Sequence, residues 1–396
     1  MNSAQKQFSL NPGASRKQFP IISVRASFKF SVIKGLSMRH LWMFSVLLTG
    51  CVLSGEVTAQ EPLQRIAFGS CAKQDKPQPI WDSIIATKPQ LFLFIGDNIY
   101  GDTEDMQVLQ QKWNLLGAQP GYQKLKQTCS VLATWDDHDY GINDAGAEYP
   151  KKRESQQIFQ DFFGIPKDSP RRKQEGVYHA EVIGPPGRRV QIILLDARYF
   201  RSRLKLGFQP SELGEGYRGK YVPNTDPGAT VLGDAQWKWL ALQLKVPAEL
   251  RVLCCSYQLL PDDHGSEAWS NFPRERERLL HLIRDTRANG VVVISGDRHL
   301  AEVMRLAPDA AGIGYPLFEV TSSSLNVPSG NINKAGVRFA NEVNRHRVGL
   351  TYFDTNFGLI DIDWSQPSPV VRMQVRHEAG GVVLQQRIKL SELQPR

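Results

Sequence analysis

Short apolar runs that end abruptly in polar residues recur along the chain. Ile66-Ala67-Phe68 runs into Gly69-Ser70-Cys71, and Leu91 to Ile95 runs into Gly96-Asp97-Asn98. Val131-Leu132-Ala133 meets Thr134-Trp135-Asp136-Asp137-His138, and Val190 to Leu195 meets Asp196-Ala197-Arg198. Val291 to Ile294 meets Ser295-Gly296-Asp297-Arg298-His299. Such runs read as strands buried on both faces. Helical patterns separate them. Pro79 to Thr87 places Ile80, Trp81, Ile84 and Ile85 at helical spacing. Arg153 to Phe163 sets Ile158, Phe159, Phe162 and Phe163 on one face, with Gly164 as a stop. Asp234 is expected to cap a helix carrying Trp237, Leu240, Ala241 and Leu244. Pro273 opens another, with Leu279, Leu280 and Ile283, expected to end near Gly290. Lys167 to Thr230 reads as loop-rich around the Asp196 strand. Gly358–Trp364, Val370–Val375 and Val382–Leu390 read as antiparallel strands. Residues 60–396 show no linker or repeat, so they read as one α/β domain.

In open α/β sheets, ligands bind outside the carboxyl ends of the strands. The polar residues at these ends are Cys71, Asp97, Tyr100, Asp136, Asp137, His138, Asp297 and His299. Three kinds of site use such a set. In a multi-metal hydrolase, carboxylates bridge two cations that polarise a phosphoryl oxygen and activate a hydroxide for in-line attack. Asp97 and Tyr100 are three apart, so a tight turn aims both at one ion. His299 follows Asp297 by two, on the same side of an extended segment. A thiolate such as Cys71 suits iron or zinc, and a phenolate such as Tyr100 suits ferric iron. In a cysteine hydrolase, Cys71 would be the nucleophile and His138 or His299 the base, which leaves the acids without a role. In the third reading each residue is a turn cap or a satisfied core group. Five strands ending alike argue against five separate accidents.

Other features carry less. Arg198, Arg201 and Arg203 are phosphate-binding candidates or a solvated basic loop. Gly214-Glu215-Gly216-Tyr217-Arg218-Gly219 follows no strand and opens no helix, so it reads as a flexible loop rather than a phosphate cradle. Asp262-Asp263-His264 is ligand-like, or a solvated turn. His179, His281, His346 and His377 read as surface or structural.

Composition changes the picture at one end only. With 41% hydrophobic and 22% charged residues, the chain is ordinary globular material and not disordered. The formal net charge is +8, but residues 1–59 hold seven basic residues against Glu56 alone. The body is therefore close to neutral, and no nucleic-acid-binding surface is evident. Residues 1–59 read as a leader: Met38-Arg39-His40 is a basic start, Leu41 to Leu53 an apolar stretch, and Val57-Thr58-Ala59 a cleavage site before Gln60. The preceding residues are an extended basic region or follow a start codon placed too early; signal length favours Met38 as the true start. Leu48-Thr49-Gly50-Cys51 resembles the bacterial lipobox, which would anchor a lipidated Cys51 in the membrane; the alternative is a Cys within an ordinary apolar stretch. Either route predicts an exported protein: periplasmic, secreted or lipid-anchored at the envelope. Of Cys71, Cys129, Cys254 and Cys255, the adjacent pair reads as core thiols, with a bridge to Cys129 as the alternative.

Taken in order, these motifs resemble the alkaline phosphatase D (PhoD-like) family of the metallophosphatase superfamily. The matching stretches are Phe68–Cys71, Gly96–Asp102, Thr134–Asp139, Leu195–Arg198, Trp269 through Phe272-Pro273 to Glu275-Arg276, Ser295–Glu302 and Glu319–Ser323, over roughly residues 65–325. The resemblance implies a four-layer α/β/β/α sandwich with two mixed sheets. It implies ferric iron and calcium, with zinc or manganese as alternatives. By position, Cys71, Asp97, Tyr100 and Asp297 resemble iron-side ligands, with Asp97 bridging to calcium. Asp136, Asp137 and His299 resemble ligands of the second cluster. His138 sits where relatives place a histidine that stabilises the transition state or protonates the leaving oxygen, and Arg198 is a phosphate-binding candidate. The expected function is an exported phosphoric-ester hydrolase, monoesterase or diesterase, using a metal-bound hydroxide on a phosphate-ester substrate. The alternative is a non-catalytic, metal-loaded, surface-anchored protein that binds phosphate or esters. Three departures stand out: no room for the fibronectin-like N-terminal domain of some relatives, strands where some carry a C-terminal lid helix, and no twin-arginine signal.

Overall fold

The computed structural model describes residues 61–207, 219–310, 312–332, 339 and 341–396. The expected leader, with Met38 and Cys51, and residues 214–218 of the glycine-rich loop lie outside them. The strands in chain order are β1 (Arg65–Gly69), β2 (Leu91–Ile95), β3 (Ser130–Thr134), β4 (His179–Ile183), β5 (Val190–Leu194), β6 (Lys205–Leu206) and β7 (Tyr221–Val222). Then follow β8 (Leu250–Cys254), β9 (Val291–Ser295), β10 (Ala301–Leu306), β11 (Leu317–Ser322), β12 (Asn356–Asp363), β13 (Val370–His377) and β14 (Val382–Lys389). One six-stranded sheet runs β14-β13-β12-β1-β2-β3, the other β10-β11-β9-β8-β5-β4, and β6-β7 is a separate pair. In the first sheet β1, β2 and β3 are parallel and the C-terminal strands antiparallel. In the second, β5, β8, β9 and β11 are parallel and the two outer strands antiparallel.

Side-chain alternation along β1 and β2 builds the layers. Ala67, Phe92 and Phe94 face the helices α1 (Ile80–Ala86), α2 (Met106–Ala118), α3 (Pro120–Thr128) and α5 (Lys152–Phe162); α4 (Asp137–Tyr140) is a single turn at the site. Ile66, Phe68, Leu91, Leu93 and Ile95 point the other way. They share one buried cluster with β5, β8 and β9, and with Trp237, Leu240, Leu279 and Ile283 of α6 (Gly233–Gln243) and α7 (Pro273–Asp285). The result is the expected four-layer α/β/β/α sandwich with two mixed sheets. Among the described residues no helix is long and apolar enough to cross a membrane.

Several local expectations need correction. Asp234 does not cap α6; Leu232 holds that position, and the Glu275 carboxylate accepts from Val231 N at 2.7 Å instead. α7 ends at Asp285, well before Gly290. β3 is an edge strand with exposed or half-buried residues at its start, not one buried on both faces. The stretch read as loop contains β4, paired to β5. Cys71, Cys129, Cys254 and Cys255 are all free, and Cys254 and Cys255 are buried core thiols.

Asp262-Asp263-His264 is neither a ligand set nor a solvated turn. Asp263 and His264 are buried; Arg345 donates to Asp263 Oδ1 at 2.6 Å, and His264 Nε2 lies 3.2 Å from Gln258 Oε1. Burial pulls the His264 imidazole down from 6.5 to about 3, with Arg298 adding to the effect. Folded protein thus keeps it neutral where the unfolded chain protonates it. The associated stability is complete above pH 6.5 and is lost as pH falls towards 3. Relative to His264→Gln, wild type is expected to lose about 2 kcal/mol between pH 7 and pH 5. Urea unfolding of both at the two pH values checks this; a pH-independent difference would mean that the folded imidazole titrates normally.

Candidate metal centre

Both sheets point the carboxyl ends of their parallel strands at one place. Cys71, Asp97, Asp136, Ser256 and Asp297 each lie two residues beyond the end of β1, β2, β3, β8 and β9. After β1, β2 and β9, and at further turns around the site, the chain takes a backbone form that L-residues avoid. Cys71 (φ 58°), Asp97 (φ 50°), Asp102 (φ 45°), Asp144 (φ 57°), Asp297 (φ 69°) and His299 (φ 55°) are all left-handed. They are six of the eight such non-glycine residues among those described, and the cost is about 1–3 kcal/mol each. Strain concentrated in this way is spent on aiming side chains. Gly96 (φ 104°) makes the approach feasible, since a Cβ there would lie 2.5 Å from Asp136 Cβ. The Asp297–His299 segment is therefore a turn, which corrects the expected extended geometry.

Asp139 joins two of the loops. Its carboxylate accepts from Asp136 N at 2.6 Å and from Asn98 Nδ2 at 2.5 Å. Asp97 Oδ2 accepts from Cys71 Sγ at 3.4 Å, and Cys71 Sγ also lies 3.2 Å from Ser323 Oγ. Asp137 accepts from His138 N at 2.9 Å and from Asp144 N at 2.7 Å. Asp136 Oδ1 accepts from Ser256 Oγ at 2.8 Å and from Arg198 Nε. The His138 ring lies 4.3 Å from that of Tyr100, centroid to centroid, and its Nδ1 is 2.7 Å from Asp102 Oδ1. His299 Nδ1 donates to Val327 O at 2.6 Å, which leaves Nε2 as the nitrogen that could meet a metal ion.

The side chains fall into groups whose candidate ligand atoms lie within 4.8 Å of one another. Cys71, Asp97 and His299 form one; Asp136, Asp137 and Asp297 form another; Asp97 also groups with Asp137 and His138. This differs from the division implied by the family resemblance: His299 lies on the thiolate side and Asp297 with the paired aspartates. The turn between them, with both residues left-handed, separates the two side chains.

Arg198 is a larger correction. Expected at a phosphate, it is wholly buried, with Nη1 and Nη2 donating to Glu267 at 2.8 and 2.6 Å and Nε donating to Asp136. Its donors are spent on carboxylates. Arg201 is also buried, 3.3 Å from Glu267, while Arg203 is exposed. Glu267 and Asp144 were not singled out from the sequence, and Asp102 closed the Gly96–Asp102 stretch without being given a role.

Electrostatics asks for cations here. Burial, then Cys71, raises Asp97 well above the ordinary carboxyl value. Burial likewise raises Asp136, and takes Asp297 to about 7 with help from Glu267 and Asp137. Burial pushes the Cys71 thiol up to about 11. Its hydrogen-bonding neighbours are Asp97, Ser70 and Ser323, not a histidine, which counts against a cysteine nucleophile. For His138, burial opposes charge, but Asp137 and Asp97 outweigh it and hold the imidazole up at about 11. Asp97 Oδ1, Tyr100 Oη and Asp136 Oδ2 are buried without hydrogen-bond partners. Orphaned buried oxygens beside crowded acids are the donor set that metal ions would satisfy. Asp137, His138, Asp297 and His299 line a cavity of about 300 Å³, whose far walls include Lys220 and Phe339.

Fold and cluster together define the class of metal-dependent phosphoesterases. The chain belongs to the PhoD-like phosphatase family, whose sequence profile matches residues 109–372, more than half of it. The fold is similar to the solved structure of PhoD, at 17% identity and TM-score 0.60, over 85% of this chain and 73% of that one. It is also similar to a dimetal phosphatase from Danio rerio, at 12% identity and TM-score 0.50, over 83% of this chain and 100% of that one. No curated protein sequence matches.

Proposed function

We propose that the chain is an exported phosphoric-ester hydrolase acting on mono- or diesters. In this reading Cys71, Asp97, Tyr100 and His299 hold ferric iron, and Asp136, Asp137 and Asp297 hold calcium. The observation that carries it is the buried cluster of acids, thiol and phenol at the strand ends, three of its oxygens without partners. Thiolate and phenolate donors favour iron, and an all-carboxylate group favours a hard cation. Asp97, which groups with Cys71 and His299 on one side and with Asp137 and His138 on the other, would be shared between the two ions. Bound there, such ions polarise phosphoryl oxygens and supply a nucleophile at neutral pH.

The chain's own residues do the rest. His138 is held by Asp102 through Nδ1. That leaves Nε2 to give a proton to the leaving oxygen. Arg198 does not touch substrate in this reading; it is a positioning residue that orients Asp136.

The test is elemental analysis of protein purified from its own host without chelator, followed by turnover of aryl phosphate mono- and diesters. Near-stoichiometric iron with calcium, and turnover, are expected. Zinc or manganese instead would overturn the iron assignment of Cys71 and Tyr100. Metal-replete protein inactive on both ester classes would overturn the hydrolase and favour the binding protein. Cys71→Ser, which exchanges a soft donor for a hydroxyl, is expected to weaken iron retention at least about 100-fold, since even outer partners are worth about 10–100-fold. Equal iron content after dialysis would remove Cys71 from the site. Export is supported by the leader pattern. Mass spectrometry of the mature N-terminus should find Gln60 or a lipidated Cys51, and a retained leader would overturn it.

A further inference from the structure

Ser323 has no role in the site so far, yet it touches two members of the thiolate-side group, one from each sheet. It follows β11 directly, and β11 lies between β9 and β10. Its Oγ accepts from His299 N at 2.9 Å and lies 3.2 Å from Cys71 Sγ. Cys71 follows β1 in one sheet, and His299 follows β9 in the other. Both have left-handed backbones, so both loops need a restraint. The loop beyond Ser323 adds three more: Leu325 N donates to Ser70 O, Asn326 N to Cys71 O, and Ser329 N to His299 O.

The direction of the hydroxyl bond follows once Cys71 is read as a ligating thiolate, which has no proton to give. A serine hydroxyl has one proton and two lone pairs. The His299 N–H can only donate, so it takes a lone pair. The Ser323 proton is then free to point at the sulfur. We propose that Ser323 is a positioning residue of the metal centre: it pins the His299 turn and donates a hydrogen bond to the Cys71 sulfur. This rests on reading Cys71 and His299 as ligands of one ion. A hydrogen bond to a ligating thiolate withdraws electron density from it, which tunes the metal as well as fixing the ligand.

The test uses the full chain loaded with ferric iron alone, as wild type, Ser323→Ala, Ser323→Thr and Cys71→Ser. In Ser323→Ala the thiolate-to-iron absorption band moves to lower energy, because the sulfur becomes more electron-rich. Iron affinity falls about 10–100-fold. Ser323→Thr, which keeps the hydroxyl, restores both. An unmoved band at unchanged affinity overturns the proposal while leaving Cys71 a ligand. If wild type shows no band that Cys71→Ser abolishes, the ligand reading fails and the proposal falls with it. Should Ser323→Ala not fold, Ser70→Ala decides, since it removes the longer hydroxyl contact at 3.5 Å. Exchange of that variant into D2O shifts the iron–sulfur stretch if Ser323 donates to sulfur. A stretch that does not move overturns the proposal.

Discussion

Asp97→Asn is expected to reduce kcat/KM for aryl phosphate esters by about 10³-fold, which corresponds to about 4 kcal/mol of lost transition-state stabilisation. The substitution is nearly isosteric, so its effect is one of charge and donor strength. Asp97 stands where two ligand groups meet, with one oxygen beside Cys71 and the other unpartnered. Removing its charge weakens the grip on both proposed ions at once. The fold should survive. Asparagine tolerates the left-handed backbone that Asp97 adopts at φ 50°, as well as aspartate does. Relief of a buried, crowded carboxylate even favours the metal-free protein. The expected pattern is therefore lost turnover and lower metal content, with a melting temperature of the metal-free protein equal to or above wild type. Unchanged turnover would sink the mechanism, since Asp97 is the residue that links the thiolate-side group to Asp137.

The pattern of the chain predicted the site's floor better than its walls. β1, β2, β5 and β9 were readable because a strand buried on both faces must be apolar throughout, and function cannot alter that. The residue two positions beyond each strand was readable for the same reason: the run has to stop where the sheet meets the site. β3 misled because an edge strand keeps enough apolar residues to look buried. α2 carries Leu109, Trp113 and Leu116 at helical spacing behind an Asp105 cap, and this stripe was there to be found. The pairing of His299 with Cys71, and of Asp297 with Asp136 and Asp137, was not. It depends on a left-handed turn, and one-letter spacing carries no φ. Nor could Glu267 be found: 69 residues separate it from Arg198, and only the folded sheet order brings them together.

That pair sets the largest expected effect on stability. Arg198 is fully buried, and so are the carboxylates it serves, Asp136 and Glu267. The fork to Glu267 is bidentate, the geometry in which a guanidinium is hardest to replace. Arg198→Met preserves much of the volume but strips Asp136 of its buried cation and leaves Glu267 with Arg201 alone, at 3.3 Å. Breaking a buried pair in this way costs about 3–5 kcal/mol. Urea unfolding of the metal-free protein is expected to show that loss. Arg198→Lys should fall between, keeping charge without the fork. Arg198→Met combined with Glu267→Gln should recover part of it, because one of the two charges that lost Arg198 is gone. The alternative role, a phosphate-binding arginine, predicts the opposite division: nearly full stability, with a raised KM for phosphate esters and weaker inhibition by inorganic phosphate. Measuring unfolding and KM on the same variants separates them. A residue that organises Asp136 changes the first and the metal content together, whereas one that meets substrate changes only the second.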